Sequence, residues 1–152
     1  MAIGVCFCEK IRIRSTGEPV ATGLCHCTDC RKLTGTLYTY SLIFKSAEIK
    51  TSGNPEKITK PAESGNIIEN YFCSNCGTPL YAYKFPSGEW DSLVITRVGI
   101  FDDLDLLERK PAVELYVRSR AGDVLRSSGL VIKIAEFDGL IRWPEKKIKT
   151  KK

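Results

Sequence analysis

The chain has 152 residues, of which 43% are hydrophobic and 27% charged, and this length suits one domain with a substantial core. The formal net charge of +5 is concentrated in residues 145–152, which hold five lysines against one glutamate and leave only +1 for the rest of the chain. A general nucleic-acid surface is therefore not expected. No stretch reaches the about 18 apolar residues of a membrane span.

The N-terminal residues show no secretory signal, which predicts a cytoplasmic protein with reduced thiols. The sequence shows no internal repeat and no linker. We expect one domain over residues 1–144, followed by a basic, disordered tail over residues 145–152.

The apolar pattern predicts a β-rich domain. Residues 9–14 alternate apolar and charged side chains, as a half-buried strand does. Further runs of β-branched and aromatic residues between turn residues predict strands at 20–24, 37–44, 67–72, 80–84, 93–98, 113–118 and 130–134. Helix is expected only as one turn over 30–34 and a short segment over 104–109 before Pro111.

All seven cysteines fall into three tight clusters. They are the N-terminal pair (Cys6, Cys8), the central triad (Cys25, Cys27, Cys30) and the late pair (Cys73, Cys76). Thiols two or three residues apart can point at one ion from a tight turn, so this spacing indicates thiolate metal sites, with zinc as the default metal. A disulfide framework would need an oxidising compartment, which the N-terminus does not indicate.

Seven thiols divide as four plus three. The central triad is sufficient to hold one ion with a coordination position left for water or substrate, and the two pairs could then meet in a closed four-thiolate site. A second arrangement places Cys25 and Cys27 with one pair and Cys30 with the other. A third uses His26 as an eighth ligand, which would make both sites structural. In an extended segment, however, His26 should face away from an ion that Cys25 and Cys27 both hold.

Three thiolates leave a zinc complex with a net charge of −1, which makes the ion a weaker Lewis acid than a three-histidine site, where bound water has a pKa of about 7. Hydroxide generation is therefore not the natural chemistry of such a site. An exogenous thiol is a suitable fourth ligand, because it is deprotonated as it binds. This reasoning favours carbon–sulfur chemistry over hydrolysis.

The clusters and their neighbours, at residues 6–8, 25–35 and 72–80, resemble the signature of the glutathione-dependent formaldehyde-activating enzyme family, also called GFA or CENP-V-like. Residues 94–103 add to the resemblance, which covers about residues 6–118. It implies a zinc-containing β-tent of antiparallel sheets. It also implies a structural zinc at the two pairs, Cys6, Cys8, Cys73 and Cys76, and a catalytic zinc at the triad, Cys25, Cys27 and Cys30.

The resemblance further implies a zinc-dependent carbon–sulfur lyase, with two Zn²⁺ per chain, that joins glutathione and formaldehyde into S-hydroxymethylglutathione. Its partner would be a small-molecule thiol or thiol adduct. Asp29 and His26 lie beside the metal loop and are weak candidates for a proton donor, although each could equally brace the loop. The glutathione carboxylates could bind to cationic side chains at Arg31, Lys32 and Arg97.

Aromatic side chains could line the substrate groove or pack within the sheets, namely Tyr38, Tyr40, Tyr81 and Trp90. A family member acting on a different metabolite is an alternative reading. A non-catalytic zinc-bound interaction module is another, because a fold does not fix a function.

Overall fold

The computed structural model describes residues 1–62, 65–85, 92–121 and 136–137. These residues form a mainly β structure, which confirms the predicted fold class. Its strands are β1 Ala2–Val5, β2 Arg12–Ser15, β3 Ala21–Cys25, β4 Thr39–Lys45, β5 Ile49–Ser52, β6 Glu56–Pro61, β7 Ile67–Phe72, β8 Pro79–Phe85, β9 Leu93–Arg97, β10 Val113–Leu115 and β11 Glu136–Phe137. The α-helices are α1 Thr28–Thr34 and α2 Leu104–Leu107, and single 3-10 turns cover Ser46–Glu48, Val98–Ile100 and Val117–Ser119.

The strands form two sheets. The smaller sheet has the antiparallel order β1-β2-β5. The larger sheet has the order β11-β10-β3-β4-β9-β8-β7-β6 and is antiparallel from β3 to β6. Only at its other edge does β10 pair in parallel, with both β3 and β11. No helix among the described residues has the length and hydropathy that crossing a membrane requires.

Several element boundaries differ from the predicted ones for local reasons. The strand predicted at 9–14 is observed at Arg12–Ser15, because the backbone N–H of Cys6 donates to the carbonyl of Ile11 and closes a turn ahead of it. The strand predicted at 113–118 ends at Leu115, before Tyr116 with a positive φ of 56°. The strand predicted at 130–134 lies outside the described residues.

Apolar side chains of both sheets pack in one core. Ile13 of β2 is fully buried, as are Leu42 and Phe44 of β4 and Val94 of β9. The thiols of Cys6 and Cys73 belong to the same buried cluster, so the region that joins the two sheets contains part of the four-thiol group. Burial of these side chains removes apolar surface from water and stabilises the fold.

The other face of the larger sheet is polar at its centre. In an antiparallel pair, directly opposed residues point to the same side, and Cys25 opposes Thr39 while Ser41 opposes Arg97. Because side chains alternate along a strand, this face is opposite to the one on which Leu42 packs. We call it the site face, since Cys25 of the triad lies on it.

Candidate functional site

The two cysteine pairs form one four-thiol cluster. The sulfur atoms of Cys6, Cys8, Cys73 and Cys76 all lie within 4.8 Å of one another. The Sγ of Cys8 is 3.6 Å from that of Cys6 and 3.7 Å from that of Cys73. Four thiolates around a tetrahedral zinc, with Zn–S bonds of about 2.3 Å, are about 3.8 Å apart. A disulfide needs about 2.05 Å, and all seven cysteines are free. The cluster could therefore hold a metal ion.

Two similar backbone turns present these thiols. The N–H of Glu9 donates to the carbonyl of Cys6 at 2.8 Å, and the N–H of Gly77 donates to that of Cys73 at 2.7 Å. Glu9 and Gly77 each follow the second cysteine of their pair, and both have positive φ, 61° and 76°. This conformation is easy for glycine and unusual for glutamate. In both pairs the turn therefore closes directly after the second cysteine.

Neighbouring donors act on the sulfur atoms. The backbone N–H of Ile11 donates to Cys6 Sγ at 3.3 Å. The Thr78 hydroxyl lies 3.2 Å from Cys76 Sγ, and this hydrogen bond is the largest cause that lowers the pKa of Cys76 to about 5. Burial raises the pKa of Cys73 to about 11. A cation at the centre would favour the thiolate form of all four groups.

The central triad forms a second, separate cluster. Its three sulfur atoms lie within 4.8 Å of one another, and all three residues are half-buried. Cys25 ends β3, Cys27 is the N-cap of α1, and Cys30 lies in the first turn of that helix. The backbone N–H of Cys30 donates to Cys27 Sγ at 3.3 Å, so a thiol takes the place of the usual oxygen cap. Helix α1 ends at Gly35, whose φ of 66° suits glycine.

The three thiols shift one another's pKa values. The neighbouring thiols of Cys25 and Cys30 lower the pKa of Cys27, whereas those of Cys27 and Cys30 raise the pKa of Cys25. Without a cation the group therefore favours one negative charge rather than three. A metal ion would stabilise all three thiolates, and the described residues add no fourth His, Cys, Asp or Glu to the cluster.

His26 does not join the triad. Its side chain is only 1% exposed, and its Nε2 lies 2.6 Å from Oε1 of Glu114 on β10. Arg120 donates from Nε to the same carboxylate at 2.9 Å. The backbone N–H of His26 also donates to the carbonyl of Leu115. The imidazole therefore braces the metal loop against β10.

The other charged site candidates differ in their burial and in their partners. Asp29 forms an ion pair with Lys60 of β6, which connects α1 to the far edge of the sheet. Lys32 is exposed on α1, whereas Arg31 is half-buried and its Nε has no hydrogen-bond partner. Arg97 lies on the site face and is buried. Only Arg97 thus combines a buried cation with a position beside the triad.

The aromatic candidates for the substrate groove also lie in different surroundings. Tyr81 is buried in the core. Tyr40 packs against the core, and its hydroxyl donates a hydrogen bond to the carbonyl of Arg109. The ring of Tyr38 packs against His26, with centroids 5.9 Å apart. Trp90 lies outside the described residues.

Sequence reasoning did not single out several residues that contact the site. They are Ser41 and Asn70, which bind Arg97, Lys60, which binds Asp29, Glu114, which binds His26, and Arg120, which binds Glu114. One signal was present, because Glu114 is a charged residue between apolar neighbours in a strand. Such a residue needs a buried partner.

Comparisons with known proteins agree with this geometry. Among solved structures the chain is similar to a Rhodobacter sphaeroides protein, with 16% sequence identity and a TM-score of 0.54 over 74% of this chain and 98% of that chain, which supports the fold. A search of curated proteins gives no match. The family model described as glutathione-dependent formaldehyde-activating enzyme matches residues 1–119, which include both cysteine clusters. The chain therefore belongs to the glutathione-dependent formaldehyde-activating enzyme family.

Proposed function

We propose that this protein is a zinc-dependent carbon–sulfur lyase-type enzyme that joins a thiol and an aldehyde reversibly. The nominal substrates are glutathione and formaldehyde, and the product is S-hydroxymethylglutathione. The family supports the substrates, and the two cysteine clusters support two Zn²⁺ per chain. Soft thiolate donors in tetrahedral spacing favour zinc over calcium or magnesium.

One observation carries the proposal. The triad of Cys25, Cys27 and Cys30 is half-exposed and has three thiols, whereas the other cluster has four thiols and includes two that are buried. A site with three protein ligands keeps a coordination position for a substrate, and a site with four is closed. We therefore assign a reactive role to the triad and a structural role to Cys6, Cys8, Cys73 and Cys76.

Zinc bound by the triad would supply an open position at which an exogenous thiol is held as its thiolate. We propose that the three cysteines fix that position, because Cys25 ends β3, Cys27 is the N-cap of α1 and Cys30 lies in its first turn. We propose that Lys32 and Arg31, which lie on the same helix, receive the substrate carboxylates.

The proton of the product hydroxyl needs a source. His26 is bound to Glu114 and Asp29 to Lys60, so both earlier candidates have structural partners. Solvent can reach the half-exposed triad, and we propose that water delivers the proton to the alkoxide. Reduced thiols are stable in the cytoplasm, which we propose as the location of the protein. We retain residues 1–144 as the proposed domain and 145–152 as its basic tail.

A non-catalytic zinc module is the second candidate function. It would be favoured by an eighth protein ligand that closes the triad, and His26 was the candidate for that role in the alternative arrangement. Its Nε2 faces Glu114 instead, and it is not part of either thiol cluster among the described residues. The open triad is thus the feature that favours the enzyme.

The test compares the rate at which glutathione and formaldehyde equilibrate, measured by NMR exchange spectroscopy, for the parent and Cys27→Ser. The parent should accelerate the exchange and the variant should not. Thr28→Ser, an exposed neighbour, is a matched control that should retain the rate. Binding is tested with cobalt in place of zinc, where glutathione should add sulfur-to-metal charge-transfer absorption and release a proton.

S-methylglutathione should bind much more weakly, since its sulfur cannot ionise. If glutathione and its methylated form bind equally, or if neither binds, the thiolate mechanism is wrong for this chain.

A further inference from the structure

Arg97 ends β9 with its side chain on the site face, where it is only 9% exposed. One terminal nitrogen, NH1, donates to the hydroxyl of Ser41 at 3.2 Å. The other, NH2, donates to Oδ1 of Asn70 at 2.9 Å. Both partners are neutral. The Nε of Arg97 is buried and has no hydrogen-bond partner.

A buried guanidinium without a negative partner is costly, so arginine is seldom buried unpaired. Among the described residues, no carboxylate forms an ion pair with Arg97. Burial lowers the pKa of Arg97. Arg97 opposes Ser41 on β4, and Thr39 of the same strand opposes Cys25, so Arg97 and the triad lie on one face of the sheet. Thiolates of the triad would supply the negative charge that the guanidinium lacks.

The position of Arg97 decides which part of a substrate it can reach. In a thiol–aldehyde adduct the oxygen is separated from the sulfur by a single carbon. The carboxylates of glutathione are many bonds further away. A cation buried near the triad suits the oxygen at the reacting carbon, whereas Lys32 and Arg31 on α1 suit the more distant carboxylates.

We propose that Arg97 is a catalytic residue that binds the anionic oxygen of the reacting adduct, and that it makes the site select ligands with a negative oxygen close to their sulfur. This inference rests on the proposed function. As the thiolate electron pair forms the carbon–sulfur bond, the carbonyl π pair moves to oxygen and gives an alkoxide. Arg97 stabilises that charge by hydrogen bonding and keeps its own proton. The alkoxide then takes a proton from water, and breakdown of the adduct reverses these steps.

Three small thiols that differ in charge next to the sulfur provide a test that does not need turnover. They are mercaptoacetate, which is anionic, 2-mercaptoethanol, which is neutral, and cysteamine, which is cationic. Each is titrated into the cobalt-loaded protein and followed by sulfur-to-metal charge-transfer absorption. Comparing the parent with Arg97→Gln for each thiol cancels the differences between the thiols in their own pKa and in their intrinsic affinity for cobalt.

The parent should prefer mercaptoacetate over cysteamine, and Arg97→Gln should reduce this preference by about tenfold or more, the effect of losing a charged hydrogen bond. In the exchange assay, Arg97→Gln should lower the rate at saturating glutathione more than it weakens glutathione binding. Identical preferences in the two proteins would overturn the role of Arg97.

Removing a buried arginine can impair folding, so the second variant retains Arg97 and changes one of its partners. Asn70→Asp places a carboxylate on NH2 of Arg97 and neutralises the guanidinium where it lies. This variant should also lose most of the preference for mercaptoacetate. Asn54→Asp adds the same charge on an exposed turn and should leave the preference unchanged.

The outcomes separate the two proposals. If no thiol changes the cobalt spectrum of the parent, thiolate binding is wrong and the inference about Arg97 is wrong with it. If thiols bind with the same charge preference in the parent, Arg97→Gln and Asn70→Asp, the proposed function stands and only the inference is overturned.

Discussion

The imidazole of His26 lies 2.6 Å from the carboxylate of Glu114, and the two side chains are 1% and 4% exposed. Arg120 donates to both oxygens of the same carboxylate from the turn that follows β10. Glu114 therefore connects His26 in the cysteine loop of residues 25–30, strand β10 and Arg120. A buried charge held by two partners stabilises its surroundings only as long as all the partners are present.

Replacing Glu114 by alanine should lower the free energy of unfolding by about 3–5 kcal/mol, because it leaves the Arg120 charge and the His26 ring without their acceptor. The measurement is urea unfolding followed by circular dichroism. Glu69→Ala is a matched control, since Glu69 also pairs with a cation, Lys57 at 2.7 Å, but on the exposed edge of the sheet. The control should lose much less stability, because solvent screens an exposed ion pair. Equal losses would show that burial of the Glu114 pair does not matter.

The two thiol clusters should respond differently to single serine substitutions. Because four-thiolate zinc contributes on the order of 10 kcal/mol to the folding of small zinc domains, Cys73→Ser or Cys8→Ser should give insoluble or strongly destabilised protein. Cys27→Ser should remain folded, because the sheet around it has its own core. Zinc per chain, measured by atomic emission, should fall from about two to about one in Cys27→Ser. Equal collapse of all three variants would contradict the structural and reactive division.

Metal should leave the triad before it leaves the four-thiol cluster. The triad is half-exposed and has one thiolate fewer, so a chelator and solvent reach its ion more easily. Acidification acts in the same direction, because thiolates must take up protons as metal leaves, so metal-dependent stability is present at neutral pH and is lost as the pH falls.

The measurement follows metal release with a coloured chelator during a pH titration and records circular dichroism in parallel. A first release without loss of strand signal, followed by a second release with unfolding, is expected. Simultaneous release of both ions with unfolding would show that the triad is as structural as the other cluster.

Sequence pattern predicted the strands that have apolar or aromatic side chains. It located β7 at its observed bounds, and β3, β4, β8 and β9 within one or two residues. It missed β1, β5, β6 and β11, which are short, polar or contain glycine. Every residue of β6 is exposed, so no burial pattern marks it, and pairing with β7 supplies the order that propensity does not.

The two thiol clusters were predictable, because cysteines two or three residues apart can meet in a tight turn. The residues around the triad could not be predicted from the sequence. Ser41, Asn70 and Arg97 come together only through the register of the larger sheet. A single strand shows which residues share a face, but not which strand is its neighbour. For this reason Arg97 stood in the sequence as one of three equal cations.

The basic segment at residues 145–152 gives the last prediction. It holds five of the lysines in the chain and accounts for most of the net charge, and it lies outside the described residues. If it is a solvated terminus, deleting it should leave the unfolding midpoint, zinc content and thiol binding unchanged. Binding of the parent to DNA or RNA, measured by fluorescence anisotropy, should be weak and should fall steeply as salt increases, because each lysine–phosphate contact releases counterions.

A variant with these five lysines replaced by glutamine keeps the length of the segment and removes only its charge. It should match the deletion in both assays. Tight binding to nucleic acid that persists at high salt in the parent would require contacts beyond the phosphates, and that result would place the binding module ahead of the enzyme.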